Sequence, residues 1–301
     1  MRTSTRRLCA ALAAVVVTTA VAREASAFCR TTTCTKDCPI DENGCNTTGF
    51  DLYWASSCVS FGVQQDGSKL RGIDYAHALA TVSAGFLSWM HADCGGGENP
   101  SVVLDDLGRI ECSKQQYNQD QPNANIWMFR DAEWPYADTG ATLALTTITF
   151  NVDDGEIFDA DVEINSFDNP LTLGDSNVQF DLLSIVTHES GHFLGLAHTR
   201  DAGATMFASY KPGDTSLRSL EVDDVTGICT VYPPTRSAPC SPEPRHRFSP
   251  TCEPASDDKG CCTTAPGRPA PGQGSAVLAL AAACLSFAAR RRSLARRGRR
   301  W

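Results

Sequence analysis

The body of this sequence has few basic side chains. Residues 28 to 262 contain 14 Lys and Arg against 34 Asp and Glu, because the other 12 basic residues lie at the two ends of the chain. A surface this acidic repels nucleic-acid phosphates, so binding of DNA or RNA is disfavoured. The acidity suits a medium that contains calcium, although it also simply keeps a protein soluble.

The sequence also lacks an apolar run of the roughly 20 residues that cross a bilayer. Near the start, Arg2, Arg6 and Arg7 precede a short apolar stretch, and small residues follow at positions 25–27. This order is typical of an export signal. We predict a signal peptide at residues 1–27 and an exported protein, with a membrane anchor as the alternative.

The end of the chain has three parts, which together resemble a bacterial MYXO-CTERM sorting signal. Cys261 and Cys262 come first, an apolar stretch of fifteen residues follows at 275–289, and arginines follow from residue 290. At about 1.5 Å per residue, that stretch is shorter than a roughly 30 Å hydrocarbon core, which favours transient membrane association. The resemblance implies processing or lipidation at the cysteines in a tail of residues 261–301, with display on the bacterial surface or release.

No cysteine pair has the C-x-x-C spacing of a zinc knuckle, although the chain has 14 cysteines. So many cysteines indicate an oxidising compartment. Setting aside Cys9, Cys284 and the pair at 261–262 leaves Cys29, Cys34, Cys38, Cys45, Cys58, Cys94, Cys112, Cys229, Cys240 and Cys252. Up to five disulfides are possible, with a connectivity that the spacing does not encode. Four of the ten lie in residues 28–48, which we interpret as a disulfide-tied arm.

Hydrophobic periodicity predicts an α/β domain at residues 49–234. We expect helices at about 74–91 and from Asp181 past His192, with a stop at Gly195. Strands are expected at residues 51–64, 101–107, 125–130, 143–151 and 156–164. After residue 234, Pro, Ser and Arg replace core-forming residues, so residues 235–260 are predicted to be a linker.

Three of the six histidines lie in one motif, HESGHFLGLAH at residues 188–198. Positions i and i+4 of a helix lie on one side, so His188 and His192 can bind the same ion. Gly195 allows the backbone to turn and His198 to supply a third ligand, which leaves one position for water. The other three histidines lack partners at ligand spacing, and we assign them no role.

Glu189 lies beside the predicted zinc ion. Zinc lowers the pKa of its water, and Glu189 can accept the proton and pass it to the leaving amine. Such a site indicates a zinc endopeptidase that cleaves proteins or peptides, and we expect the protein to be a monomer. Chance would produce this set of residues with a probability on the order of 10⁻⁵. The alternative is a surface binding protein or adhesin that keeps the zinc fold without catalysis, but the presence of Glu189 favours the enzyme.

The motif H-E-x-x-H-x-x-G-x-x-H followed by a methionine is the signature of metzincins. Asp201 and Met206 lie at the matrixin positions, and residues 220–232 resemble the final matrixin helix with its Asp-Asp pair. The resemblance implies a mostly parallel five-stranded sheet with an antiparallel edge strand at 143–151 that pairs with substrate. It also implies two long helices and a small C-terminal subdomain. Met206 would lie beneath the zinc, and Tyr210 would line the pocket for the residue after the cleaved bond.

Two departures from the matrixins follow from what is missing. No histidine occurs between His91 and His188, so a second, structural zinc is not expected. We also expect no long inhibitory propeptide ahead of the domain; a cysteine of the arm could cap the zinc, but disulfide pairing is favoured. Acidic residues around the turn at Gly155 could bind calcium as matrixin loops often do, or form an ordinary acidic hairpin. The calcium candidates are Asp153, Glu156, Asp159 and Asp161.

Overall fold

The computed structural model describes residues 28–136 and 142–252, and the backbone of residues 275–279. The predicted signal peptide at 1–27, Cys261, Cys262 and the rest of the predicted tail except residues 275–279 lie outside the described residues. The described residues contain ten strands: β1 Cys29–Arg30, β2 Cys58–Gln64, β3 Val103–Ile110, β4 Ile126–Phe129, β5 Ala144–Asn151, β6 Ile157–Ile164, β7 Leu171–Thr172, β8 Phe180–Asp181, β9 Leu196–Ala197 and β10 Ser275–Ala279. The same part of the chain contains three α-helices: α1 Tyr75–Met90, α2 Leu182–Phe193 and α3 Val222–Val231.

The main sheet has the strand order β10-β5-β6-β4-β2-β3. Strands β3, β2, β4 and β6 are parallel, and β5 is antiparallel to β6. The five predicted strands form a mostly parallel sheet, which confirms that arrangement, and β10 adds a sixth strand beside β5. The prediction that β5 is the edge strand is wrong for its second half, because β10 pairs with residues 147–151. The unpaired backbone groups of an edge strand are a template for a further strand.

The two long helices pack together on one face of the sheet. Helix α1 begins after Asp74, whose carboxylate accepts from the His77 backbone N–H, and α2 begins after Asp181, which accepts from Ser184 in the same way. Both N-caps satisfy N–H groups that the helix itself leaves without partners. The indole of Trp89 donates to the Thr187 carbonyl at 2.8 Å and ties α1 to α2.

Aromatic rings fill the space between helices and sheet. The ring of Phe86 lies edge-on to Phe193 at 5.0 Å and to Trp127 at 5.4 Å, in the range where aromatic pairs are stabilising. Ala160, Val162 and Ile164 of β6 face this core. In the part of the chain that the structure describes, no helix is long and apolar enough to cross a membrane.

Five disulfides join all ten cysteines that the sequence analysis retained. They are Cys29–Cys45, Cys34–Cys38, Cys58–Cys240, Cys94–Cys229 and Cys112–Cys252. Two of them join the described part of the predicted linker 235–260 to the rest of the fold: Cys240 is bonded to Cys58 of β2, and Cys252 to Cys112, two residues after β3. The linker prediction rested on a scarcity of core-forming residues, but Phe248 and Cys252 of this segment pack against a small apolar cluster that includes Ile110, Ile126 and Met128.

The contact between α1 and α2 generates a stability prediction. A Cβ at Gly85 would lie 2.7 Å from Cγ1 of Val186 and 3.2 Å from the Thr187 backbone nitrogen. We expect Gly85→Ala to lower the free energy of unfolding by about 1–3 kcal/mol, the usual cost of overpacking. Thermal denaturation of Gly85→Ala and the wild type measures this loss of stability. Gly203→Ala is the control, because its Cβ would meet only Asp201 at 3.5 Å; equal melting temperatures for the two variants would contradict the packing described.

Candidate metal centre

Helix α2 and the turn that follows it position the predicted metal ligands. The helix carries His188 and His192 on one side. Gly195 follows with φ +94°, a left-handed conformation in which a Cβ would also lie 2.6 Å from the Leu52 carbonyl oxygen. Glycine is therefore required there by both conformation and space. The chain reverses, passes through β9 and brings His198 back to the helix.

The three imidazoles converge through their Nε2 atoms. Nε2 of His198 lies 3.1 Å from Nε2 of His188 and 3.1 Å from Nε2 of His192. Ligands of a tetrahedral zinc ion, with Zn–N distances of roughly 2.0–2.1 Å, are separated by roughly 3.3 Å. Among the described residues this is the only group of three or more His, Cys, Asp or Glu with ligand atoms close enough for a metal ion. The donor set fits one zinc.

Backbone carbonyls fix the orientation of two of the rings. Nδ1 of His188 lies 2.6 Å from the Thr205 carbonyl oxygen, and Nδ1 of His192 lies 2.9 Å from the Leu196 carbonyl oxygen. A carbonyl can only accept, so Nδ1 carries the proton and the Nε2 lone pair points inward. Burial lowers the pKa of His192 far below its ordinary value and that of His198 to about 3. The rings of His192 and His198 are thus neutral, as metal binding requires.

Glu189 is buried beside the three histidines. Its Oε2 accepts a hydrogen bond of 2.6 Å from the hydroxyl of Thr146 on β5. Burial raises the pKa of Glu189, and the neighbouring His188 and the Thr146 hydroxyl partly oppose this effect. The sequence analysis missed Thr146. Its only signal was its place in a strand predicted to border the cleft.

Met206 lies directly beneath the metal-binding side of α2. A Cβ at Gly191, between the two helical histidines, would come within 2.2 Å of the Met206 sulfur. The carboxylate of Asp224 on α3 accepts from the backbone N–H groups of Thr205 and Met206 at 2.7 and 3.0 Å. Asp224 thus anchors the turn that carries Met206.

A cleft of about 330 Å³ opens at the three histidines. It is lined by residues 142–146, which lead into and begin β5, and by residues 207–210. The predicted pocket residue Tyr210 lines it; its hydroxyl accepts from the Asp181 N–H at 2.8 Å and donates to the Asp214 carbonyl at 2.5 Å. Much of the remaining lining is apolar and includes Phe180, Ile185 and Leu217.

The four calcium candidates are spread over two places. Asp153 and Glu156 lie on the turn between β5 and β6, where Asp153 is exposed. Asp159 and Asp161 are buried on the face of β6 opposite the core. Among the described residues, both carboxylate oxygens of Asp159 lack a hydrogen-bond partner. Asp161 accepts from the N–H groups of Gln116 and Ile126 at 2.9 Å each. These acids form no group of three ligands.

Residues 103–233 match the family model described as Matrixin. Neutrophil collagenase of Homo sapiens is 37% identical over 83 residues, 26% of this chain and 18% of that protein. Metalloendoproteinase 1-MMP of Arabidopsis thaliana is 46% identical over 61 residues, 20% of this chain and 16% of that protein. Residues 103–233 are matrixin-like. The chain spans less than a fifth of the length of either relative.

The convergence of the ligands predicts that zinc stabilises the folded protein, because a ligand that binds only the folded state raises its stability. We expect zinc to raise the melting temperature of the metal-depleted wild type, and His198→Ala to abolish most of that shift. His77→Ala is the control, since His77 lies on the exposed side of α1. Calorimetry with and without zinc measures the effect, and an equal zinc shift in His198→Ala would contradict the site.

The buried acids of β6 predict a pH dependence of stability. Burial first, and then the charge of Asp161, raise the pKa of Asp159 well above its ordinary value. As the pH rises, the Asp159 carboxyl of the unfolded chain loses its proton at a lower pH than that of the folded protein. The free energy of unfolding therefore falls as the pH rises above about 4, the ordinary pKa of Asp. In calcium-free buffer, Asp159→Asn should flatten the fall in melting temperature between pH 5 and 8, whereas Asp153→Asn should not. An unchanged slope in Asp159→Asn would refute this.

Proposed function

We propose that the protein is an exported, zinc-dependent endopeptidase that hydrolyses peptide bonds of extracellular proteins. The observation that carries the proposal is the convergence of His188, His192 and His198 beside the buried carboxylate of Glu189 in an open cleft. The match of residues 103–233 to the matrixins supports it. The sequence relatives carry names of collagenases and metalloendoproteinases, which supports peptide-bond hydrolysis as the reaction class.

Substrate is proposed to bind as an extended strand along the first half of β5. The pairing with β10 ends at Thr147, so residues 144–146 lie beyond it and line the cleft. A peptide can pair with such a strand through main-chain hydrogen bonds while its side chains enter pockets. The apolar lining near Ile185 and Leu217 favours an apolar side chain after the cleaved bond, with Tyr210 on the wall of the pocket. The cleft would separate the sheet from a small C-terminal subdomain.

The proposed mechanism assigns the proton transfers to Glu189. Zinc bound by the three imidazoles would polarise the scissile carbonyl and lower the pKa of the attacking water. Glu189 accepts the proton of that water as it attacks and then delivers it to the leaving amine nitrogen. Its raised pKa suits the first transfer, because a more basic carboxylate accepts the proton of the water more readily. Thr146 holds one carboxylate oxygen in place meanwhile.

Export is supported by the five disulfides, since such bonds persist in oxidising compartments. Display on a bacterial surface, transient membrane association through the tail and lipidation at Cys261 or Cys262 belong to the same proposal. They rest on the sequence pattern alone, as does the monomeric state.

Calcium is a separate part of the proposal. The buried carboxylate of Asp159, beside Asp161, offers oxygen ligands that a hard cation prefers. Calcium is expected to raise the melting temperature of the wild type, and much less that of Asp159→Asn. Calorimetry in zinc-saturated buffer measures it, and an equal shift in both proteins would exclude this place as the binding site.

The decisive test is peptidase activity of the exported full-length chain on a mixed peptide library. Replacing the base should lower kcat/KM by about 10²–10⁴ in Glu189→Ala, the usual contribution of a general base, while Glu243→Ala stays at the wild-type level. Removal of zinc should abolish cleavage. Equal cleavage by wild type and Glu189→Ala would refute the mechanism. A protein that cleaves nothing yet binds a partner after zinc removal would favour the adhesin.

A further inference from the structure

The N-terminal arm pairs with the segment that carries the third histidine. Strands β1 and β9 form a two-stranded antiparallel sheet in which Cys29 faces Ala197 and Arg30 faces Leu196. The Thr31 N–H also donates to the Gly195 carbonyl at 3.0 Å. The arm therefore holds the backbone from the end of α2 up to the residue before His198.

One carbonyl joins the arm to a second histidine. The hydroxyl of Thr31 donates to the Leu196 carbonyl oxygen at 2.9 Å. The same oxygen accepts from Nδ1 of His192, also at 2.9 Å. Thr31 is buried, so water does not compete for this contact. Through Leu196, the arm thus fixes the acceptor that orients the His192 ring.

The arm is held in place by covalent and polar contacts rather than by a large apolar face. The Cys29–Cys45 disulfide closes its first loop against β9, and the Cys29 side chain is buried. Arg30 donates to the Leu52 carbonyl at 2.7 Å, and Arg200, two residues after His198, donates to the Glu42 carbonyl. The disulfide thus adds a covalent constraint to the hydrogen bonds that keep β1 on β9.

We propose that the arm is part of the metal centre: Thr31 and the Cys29–Cys45 disulfide position His192 and His198 and thereby set the affinity for zinc. The inference rests on the zinc site of the proposed function. Groups that orient metal ligands contribute because a ring already held in place loses less freedom on binding. Their loss typically weakens metal binding about 10–100-fold. The arm would then be a permanent component of the site and not a removable inhibitor.

The chain provides a matched control for each variant. Cys34–Cys38 closes a loop in the same arm with a sequence separation of only 4, away from β9. Replacing both of its cysteines by serine removes a disulfide without touching the β1–β9 pair. Thr31→Ser keeps the hydroxyl that Thr31→Val removes, at nearly unchanged size.

The experiment measures zinc affinity by competition with a chelating dye on the exported full-length chain. We expect Kd to rise about 10–100-fold in the Cys29→Ser/Cys45→Ser variant and in Thr31→Val. Thr31→Ser and the Cys34→Ser/Cys38→Ser variant should stay within about threefold of the wild type. If the first variant does not fold, the two Thr31 variants decide the matter, with circular dichroism as the check on folding.

Equal zinc affinity in Thr31→Val and Thr31→Ser would overturn the inference. Equal weakening in both double-serine variants would also overturn it, because the effect would then reflect any loss of a disulfide. The readout is independent of catalysis. A wild type that binds zinc tightly but cleaves no peptide would refute the proposed function and leave the role of the arm measurable.

Discussion

The structure depends on one constraint: three imidazoles must point their Nε2 lone pairs at a single point from about 3 Å apart. Without a cation, lone pairs at that distance repel each other, and burial deprives them of water. Only a framework that fixes each ring from behind can keep them there. Here the carbonyl oxygens of Thr205 and Leu196 orient the rings of His188 and His192 through hydrogen bonds to Nδ1. The left-handed turn at Gly195 brings the third ring, that of His198, to the same point.

Each of those holding groups is itself held by a distant part of the chain. Thr205 lies in the turn that Asp224 of α3 anchors through two backbone N–H groups. Leu196 lies in β9, which pairs with strand β1 of the N-terminal arm. Glu189 is aligned by Thr146 from the sheet. The sheet, the last helix and the arm therefore meet at one metal centre, although they are far apart in sequence.

Local signals in the sequence predict the parts of the fold that depend on local physics. Helix α1 lies within one residue of its predicted bounds, because Asp74 caps it and apolar residues recur at helical spacing. The geometry of the histidine motif can also be predicted from the sequence, since the helix period and one glycine determine it. Contacts between segments far apart in the chain produce no local sequence pattern from which they could be predicted. The disulfide pairs, the docking of the arm on β9, the role of Thr146 and the pairing of β10 with β5 all depend on tertiary packing.

The central claim is that three imidazole nitrogens and one further light atom surround a single zinc. X-ray absorption spectroscopy at the zinc edge of the zinc-loaded, exported protein tests it most directly. The account predicts one zinc per chain, about three imidazole nitrogens at roughly 2.0–2.1 Å and one oxygen, with no sulfur. A sulfur shell at roughly 2.3 Å would mean that a cysteine binds the metal, and it would contradict the site described.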